Sequence, residues 1–174
     1  MTLCYLELMT DSDLDKVVAI ERNVYDFPWT RSDFEDSLRN NQLGLCLRKA
    51  TGMLVGYCVL MLSVDEMHLL NLCVTPSAQG QGSGLTLLCE SVRIMRMQQL
   101  RCMLLEVRQS NWRAMRLYNH FGFIKIGKRK NYYAERHSGR EDAIVMRYRV
   151  HSEMLIKPPV TIIRHDSIAK YRFL

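Results

Sequence analysis

Along this chain the spacing of apolar positions switches between the two-residue period of a strand and the 3.6-residue period of a helix, and the switches mark out its elements. Residues 3–9 form a short apolar run of strand type. Thr10 or Ser12 is then placed to cap a helix whose apolar side is Leu14, Val17, Val18 and Ile20. Phe27-Pro28-Trp29 breaks that helix, and Thr30 with Asp33 has the pattern of a capping box opening a second one through about Arg39. Residues 43–49 and 53–63 read as two strands joined by a Thr51-Gly52 turn, and residues 67–74 as a third. A helix over about 84–98 shows Leu85, Leu88, Cys89 and Val92 on one face. Residues 101–108 read as a strand, and Asn111 caps a helix over 112–120 that Gly122 stops. Strands over 123–128 and 143–150 end the regular pattern, separated by a polar loop over 129–142. The order predicts an α/β (α+β) fold, with a mixed, mostly antiparallel sheet of seven strands, four helices and a central βαβ unit.

At 174 residues the chain is sized for one domain with a proper core, and its 48% hydrophobic and 24% charged content is ordinary for a globular protein. No apolar run is long enough to span a bilayer, and the first residues lack the basic-then-apolar layout of a signal peptide. The expectation is therefore a cytoplasmic protein with no membrane partner. Cys4, Cys46, Cys58, Cys73, Cys89 and Cys102 sit inside apolar elements and form no C-x-x-C pair, which predicts buried free thiols and no metal site. The net charge of +6 suits an anionic ligand; without a long basic run or a nucleic-acid motif it does not predict specific nucleic-acid binding. A boundary is expected near residue 150, giving a domain over 1–150 and an extension over 151–174. The extension holds four basic and two acidic residues, and its stretch 160–163 favours strand.

The segment 70–92 carries the candidate chemistry. A strand turns through Thr75 to Ser83, rich in Gly, Ser and Gln, into a helix. Backbone N–H groups at the positive end of a helix dipole make a site for anions such as phosphate, and Gly80, Gly82 and Gly84 let a bulky ligand approach the backbone. An ordinary βα turn has the same composition. The G-x-G-x-G spacing is not the dinucleotide fingerprint, and no lysine supplies a nucleotide P-loop.

The loop does match Gln-x-x-Gly-x-Gly, as Gln79, Gly82 and Gly84, and so resembles the acyl-CoA pyrophosphate loop of the GNAT family of N-acetyltransferases. The segment 104–123, the RKNYY stretch at 129–133 and GREDAIVMR at 139–147 extend the likeness to RimI-type protein N-terminal acetyltransferases. The resemblance covers residues 6–149. It implies the GNAT fold, in which the fourth and fifth strands splay and acyl-CoA fills the gap. It also implies acetyl-CoA as co-substrate and a protein N-terminus as acceptor, in that family the N-terminal alanine of ribosomal protein eighteen of the small subunit. A lysine or small-amine acceptor, and a binding module without catalysis, are the alternatives.

The resemblance assigns Leu72, Cys73, Val74, Gln79, Gly80, Gln81, Gly82, Ser83, Gly84, Leu85 and Asn111 to CoA binding. It makes Glu106 the general base and Tyr118 the acid that protonates the departing thiolate. Trp29, Tyr132 and Tyr133 would line the acceptor site. From the residues alone, Glu106 is a carboxylate on a strand with two apolar faces, and either forms a salt bridge, for example to Arg108 or Arg113, or has a function. On the same footing Tyr118 reads as a core phenol with its hydroxyl satisfied, and Asn111 as a helix cap. RimI-type loops often carry basic residues where Gly80 and Leu85 stand here, which predicts weaker CoA affinity.

Overall fold

The computed structural model describes residues 3–135 and 139–150, with residue 158 and the backbone of 161–164. The elements are β1 (Leu3–Leu8), α1 (Leu14–Val24), α2 (Arg31–Arg39), β2 (Leu43–Lys49), β3 (Leu54–Leu62), β4 (Glu66–Val74), α3 (Ser83–Met97), β5 (Cys102–Arg108), α4 (Trp112–Phe121), β6 (Ile124–Ala134), β7 (Arg140–Arg149) and β8 (Thr161–Arg164). They build one sheet in the order β6-β7-β5-β4-β3-β2-β1-β8. Only the β4–β5 and β1–β8 pairs are parallel. The seven expected strands and four helices are all present, and the eighth strand comes from the extension, added parallel to the β1 edge.

Helices cover both faces of the sheet. On one side α3 and α4 bury Leu87, Leu88, Tyr118 and Phe121 against Leu45, Leu60, Met103, Leu105 and Met146. On the other, Leu14, Val17 and Val18 of α1 and Phe34 of α2 cover Cys46, Tyr57, Val59 and Cys73. The alternation Leu45/Cys46 and Cys58/Tyr57 along β2 and β3 sends neighbouring side chains to opposite clusters, as the pleat requires. The six cysteines are free thiols; Cys4, Cys46, Cys58 and Cys73 are buried, Cys89 and Cys102 only partly. Among the described residues no helix is long and apolar enough to cross a membrane.

Three expectations change. The core-facing position in the last turn of α1 belongs to Glu21, 1% exposed, while Ile20 only flanks the cluster. Leu14, Val17, Val18 and Glu21 keep helical spacing, so the periodicity held and the hydrophobicity of the last position misled. The stretch 129–142 is mostly strand, since β6 continues to Ala134 and β7 begins at Arg140. Polar side chains on a two-stranded edge hid these strands, because β6 is exposed along most of its length. Finally, β5 has only one fully buried face, formed by Met103, Leu105 and Val107; Cys102, Leu104 and Glu106 are partly exposed.

Candidate active site

The sheet is split at its centre. Pairing between β4 and β5 runs from Glu66↔Cys102 to Leu69↔Leu105 and stops. Past that rung β4 continues to Val74 on β3, and β5 continues to Arg108 on β7. A bulge in β4 lies at the same level: Leu60 pairs Leu69 and Val59 pairs Asn71, leaving Leu70 as the extra residue. A bulge bends its strand and increases the local twist, which turns the end of β4 away from β5. Leu72, Cys73 and Val74 therefore border an opening between parallel strands.

The glycine-rich loop closes the C-terminal end of β4. Gly80 and Gly82 adopt φ of 75° and 86°, a left-handed backbone that favours glycine, and Gly82 is the N-cap of α3. No side chain caps α3, so its first N–H groups face the loop at the positive end of the dipole. Gly84 serves close packing, for a Cβ there would come within 3.0 Å of Leu117 Cδ2. Gln79 shapes the loop: its Nε2 donates to the Val74 carbonyl at 3.0 Å, and its Oε1 accepts from Arg113 of α4. Arg113 thus brings to the loop the positive charge absent at positions 80 and 85. Gln81 donates to the Ser77 carbonyl at 2.8 Å; Ser83 is buried, and Leu85 is half-buried against the core. Asn111 is the helix cap the sequence suggested, accepting from the Ala114 N–H at 3.1 Å.

At the other side of the opening stands Glu106. Its Oε1 lies 2.7 Å from Arg129 Nε, so its partner comes from β6 rather than being Arg108 or Arg113. The Tyr132 hydroxyl also donates to Glu106, and that bond raises the Tyr132 pKa. Asn131 makes this meeting possible. Between Arg129↔Ala143 and Tyr133↔Glu141 the β6 side has two residues more than β7, and Asn131 absorbs the excess at φ 51°, its N–H bonded to Asp142 at 2.8 Å. The rings of Tyr132 and Tyr133 meet edge-on at 5.0 Å. Burial, with the nearby Glu106 charge, pushes the Tyr133 phenol up to about 12.

Arg108, which the sequence offered only as a partner for Glu106, organises the rim. Its guanidinium lies 5.0 Å from the Phe27 ring centre and 4.4 Å from that of Tyr133, joining the loop after α1 to β6. It also donates to the Ala134 carbonyl at 2.9 Å and pairs with Glu141 at 3.4 Å. Trp29 does not join this group. It packs on Phe34 with ring centres 5.1 Å apart, and its backbone N–H donates to Glu21 at 3.0 Å. The exposed aromatic side chain of that loop next to Arg108 is Phe27. Tyr118, on the α4 side, is buried beside Phe123, and burial raises its pKa well above the ordinary phenol value. Arg108 and Phe27 were invisible as a pair because they are distant in sequence and each has a common surface role.

A split parallel pair ending in a glycine loop at a helix N-terminus is an arrangement suited to an anionic ligand lying between β4 and β5. The chain belongs to the acetyltransferase (GNAT) family, whose pattern matches residues 14–123. It is 36% identical over 136 residues to a putative ribosomal protein bS18-alanine N-acetyltransferase of Bacillus subtilis, covering 77% of this chain and 87% of that one. It is 33% identical over 135 residues to the bS18-alanine N-acetyltransferase of Escherichia coli K12, covering 78% and 90%. The crystal structure of the Escherichia coli S18-alanine enzyme superimposes with a TM-score of 0.77 at 28% identity, over 87% of this chain and 98% of that one. Ard1 of Thermoplasma volcanium shares the fold, with a TM-score of 0.76 at 24% identity, over 86% and 99%.

Proposed function

We propose that this protein transfers the acetyl group of acetyl-CoA to the N-terminal α-amino group of a protein, and that the acceptor is the N-terminal alanine of ribosomal protein bS18. The observation that carries the acceptor is the 33–36% identity with bS18-alanine enzymes over nearly their whole length. The site fits acetyl-CoA in three respects: the uncapped N–H groups of α3 beside left-handed glycines, the Arg113 charge on the loop, and the opening between β4 and β5. When bound, acetyl-CoA supplies an activated acyl carbon and a thiolate leaving group.

The residues of the chain divide the remaining work. Glu106 receives a proton from the acceptor ammonium, directly or through a water. Arg129 holds that carboxylate with a side chain 58% exposed, an ion pair of the kind worth at most about 1 kcal/mol. An incoming ammonium can therefore take its place on Glu106 at little cost. Backbone N–H groups of β4 around Leu72 and Val74 are suited to hold the oxyanion that forms on attack. Tyr118, kept protonated by burial, gives its proton to the thiolate. Phe27, Arg108, Tyr132 and Tyr133 form the rim that receives the peptide N-terminus. The acceptor chemistry agrees: at neutral pH about one α-amine in ten is already unprotonated, given a pKa of roughly 7.7–8.0, against about one lysine in two thousand. One carboxylate base suffices more easily for the first.

The test is thiol release from acetyl-CoA with three acceptors: a peptide beginning with free alanine, the same peptide blocked at its N-terminus but carrying lysine, and a polyamine. The expected result is turnover with the free alanine peptide alone, falling by about 10²-fold or more in Glu106→Gln. Turnover with lysine or polyamine instead would overturn the acceptor assignment, and an undiminished Glu106→Gln enzyme would remove Glu106 from the base role.

A further inference from the structure

Tyr25 closes α1 and reaches across to β4. Its backbone N–H donates to the Glu21 carbonyl at 2.9 Å, and its hydroxyl donates to the Leu72 carbonyl at 2.6 Å. Leu72 lies beyond the last β4–β5 rung, on the stretch that borders the opening. The seat of this phenol is built rather than incidental. The Glu21 carboxylate accepts from the Trp29 N–H at 3.0 Å, from Asn71 Nδ2 at 3.1 Å and from the Tyr57 hydroxyl. One buried group thus fixes the end of α1, the chain after Tyr25, and β4 just past its bulge.

Tyr25 and Tyr118 approach β4 from opposite faces of the sheet. Tyr25 packs with the α1–α2 cluster and Tyr118 with the α3–α4 cluster. Both lie within electrostatic reach of the Cys73 thiol and of one another. With its pyrophosphate at the N-terminus of α3, a CoA thioester would enter the opening from the α3–α4 face and point its acyl end to the face where Tyr25 stands.

We propose that Tyr25 is the acyl-length stop of this enzyme: its ring, pinned by the hydroxyl to Leu72, closes the far end of the β4–β5 opening and leaves room for acetyl but not for longer acyl chains. The inference rests on the acyl-CoA reading of the site and is independent of which amine accepts. A pocket wall that rejects extra methylenes acts by steric exclusion, and a ring held by a backbone hydrogen bond in a packed cluster yields less than a free one.

Calorimetric titration of the full chain with acetyl-CoA and with butyryl-CoA, without any amine, tests it. Wild type is expected to bind butyryl-CoA at least about tenfold more weakly than acetyl-CoA, and Tyr25→Ala to bring the two within about threefold. Tyr25→Phe keeps the ring and should keep most of the discrimination. Circular dichroism checks folding, and Tyr25→Leu, with a core-sized apolar side chain, replaces the alanine variant if that one unfolds; it should narrow the ratio in the same direction. Equal binding of both thioesters by wild type, or a ratio unchanged in the folded alanine or leucine variant, overturns the proposal. A wrong acceptor assignment leaves these titrations untouched, whereas a wild-type chain binding neither thioester would sink the acyl-CoA reading along with the stop.

Discussion

Arg113 brings to the glycine loop a positive charge that positions 80 and 85 lack. At positions 80 and 85 the loop has glycine and leucine, yet the guanidinium from α4 reaches the loop through Gln79. It is exposed, so its attraction for a pyrophosphate is screened and an interaction of up to about 1 kcal/mol is the realistic scale. Arg113→Ala is expected to weaken acetyl-CoA binding by roughly two- to fivefold at low salt, with the difference shrinking as salt rises. Titrations at two ionic strengths check this; a loss that ignores salt would mean the arginine acts by shaping Gln79 instead. Glu21 illustrates the opposite regime. Burial raises its pKa, while its hydrogen bonds with Tyr57, Trp29 and Asn71 work to lower it. Three converging donors suit a carboxylate, and an amide in its place turns one N–H₂ toward them.

Among the elements, the start of α3 combines two glycines with different duties. Gly82 needs its left-handed φ of 86°, whereas Gly84 needs only room beside Leu117, a flexible side chain. Gly82→Ala should therefore cost about 1–2 kcal/mol, a drop of roughly 2–8 °C in Tm for a domain of this size. Gly84→Ala gains helix propensity of about 1 kcal/mol against a contact that can relax, and is expected to lie closer to neutral. Thermal unfolding of the two variants gives the comparison, and an equal effect would refute the assignment of duties. The β6–β7 hairpin shows the same division between backbone and side chain. Its irregular register at Asn131 brings Tyr132 to Glu106, and Arg108, Glu141 and Ser110 tie the hairpin to the end of β5.

For the whole molecule, the sheet split gathers phenols from three separate elements. Tyr25, Tyr118 and Tyr133 all have pKa values raised by burial, Tyr133 to about 12. A raised folded-state value means that the folded protein holds protons an unfolded chain gives up near pH 10. Their contribution is full below about pH 10 and is lost as pH rises toward 12. The urea midpoint is accordingly expected to fall between pH 9 and about 11.5. Tyr25→Phe together with Tyr133→Phe should flatten that fall, and an unchanged slope would show that these phenols ionise alike in both states.

Sequence alone determined much of this protein. Periodicity placed α1 to α4, Thr30–Asp33 and Asn111 cap α2 and α4 as predicted, and the glycines at 80, 82 and 84 marked the turn from β4 into α3. These are short-range features, set by which groups within a few residues can satisfy a backbone N–H or allow a positive φ. What tertiary structure decided is long-range. It set where β4 and β5 part, that Arg129 rather than Arg108 or Arg113 meets Glu106, that Phe27 and not Trp29 faces the rim, and that polar residues 129–134 form a strand. Hydrophobic patterning reports only whether a side chain leaves water. It does not name the partner, because burial is non-directional, whereas an ion pair or a strand register is fixed only when distant segments are brought to the same place.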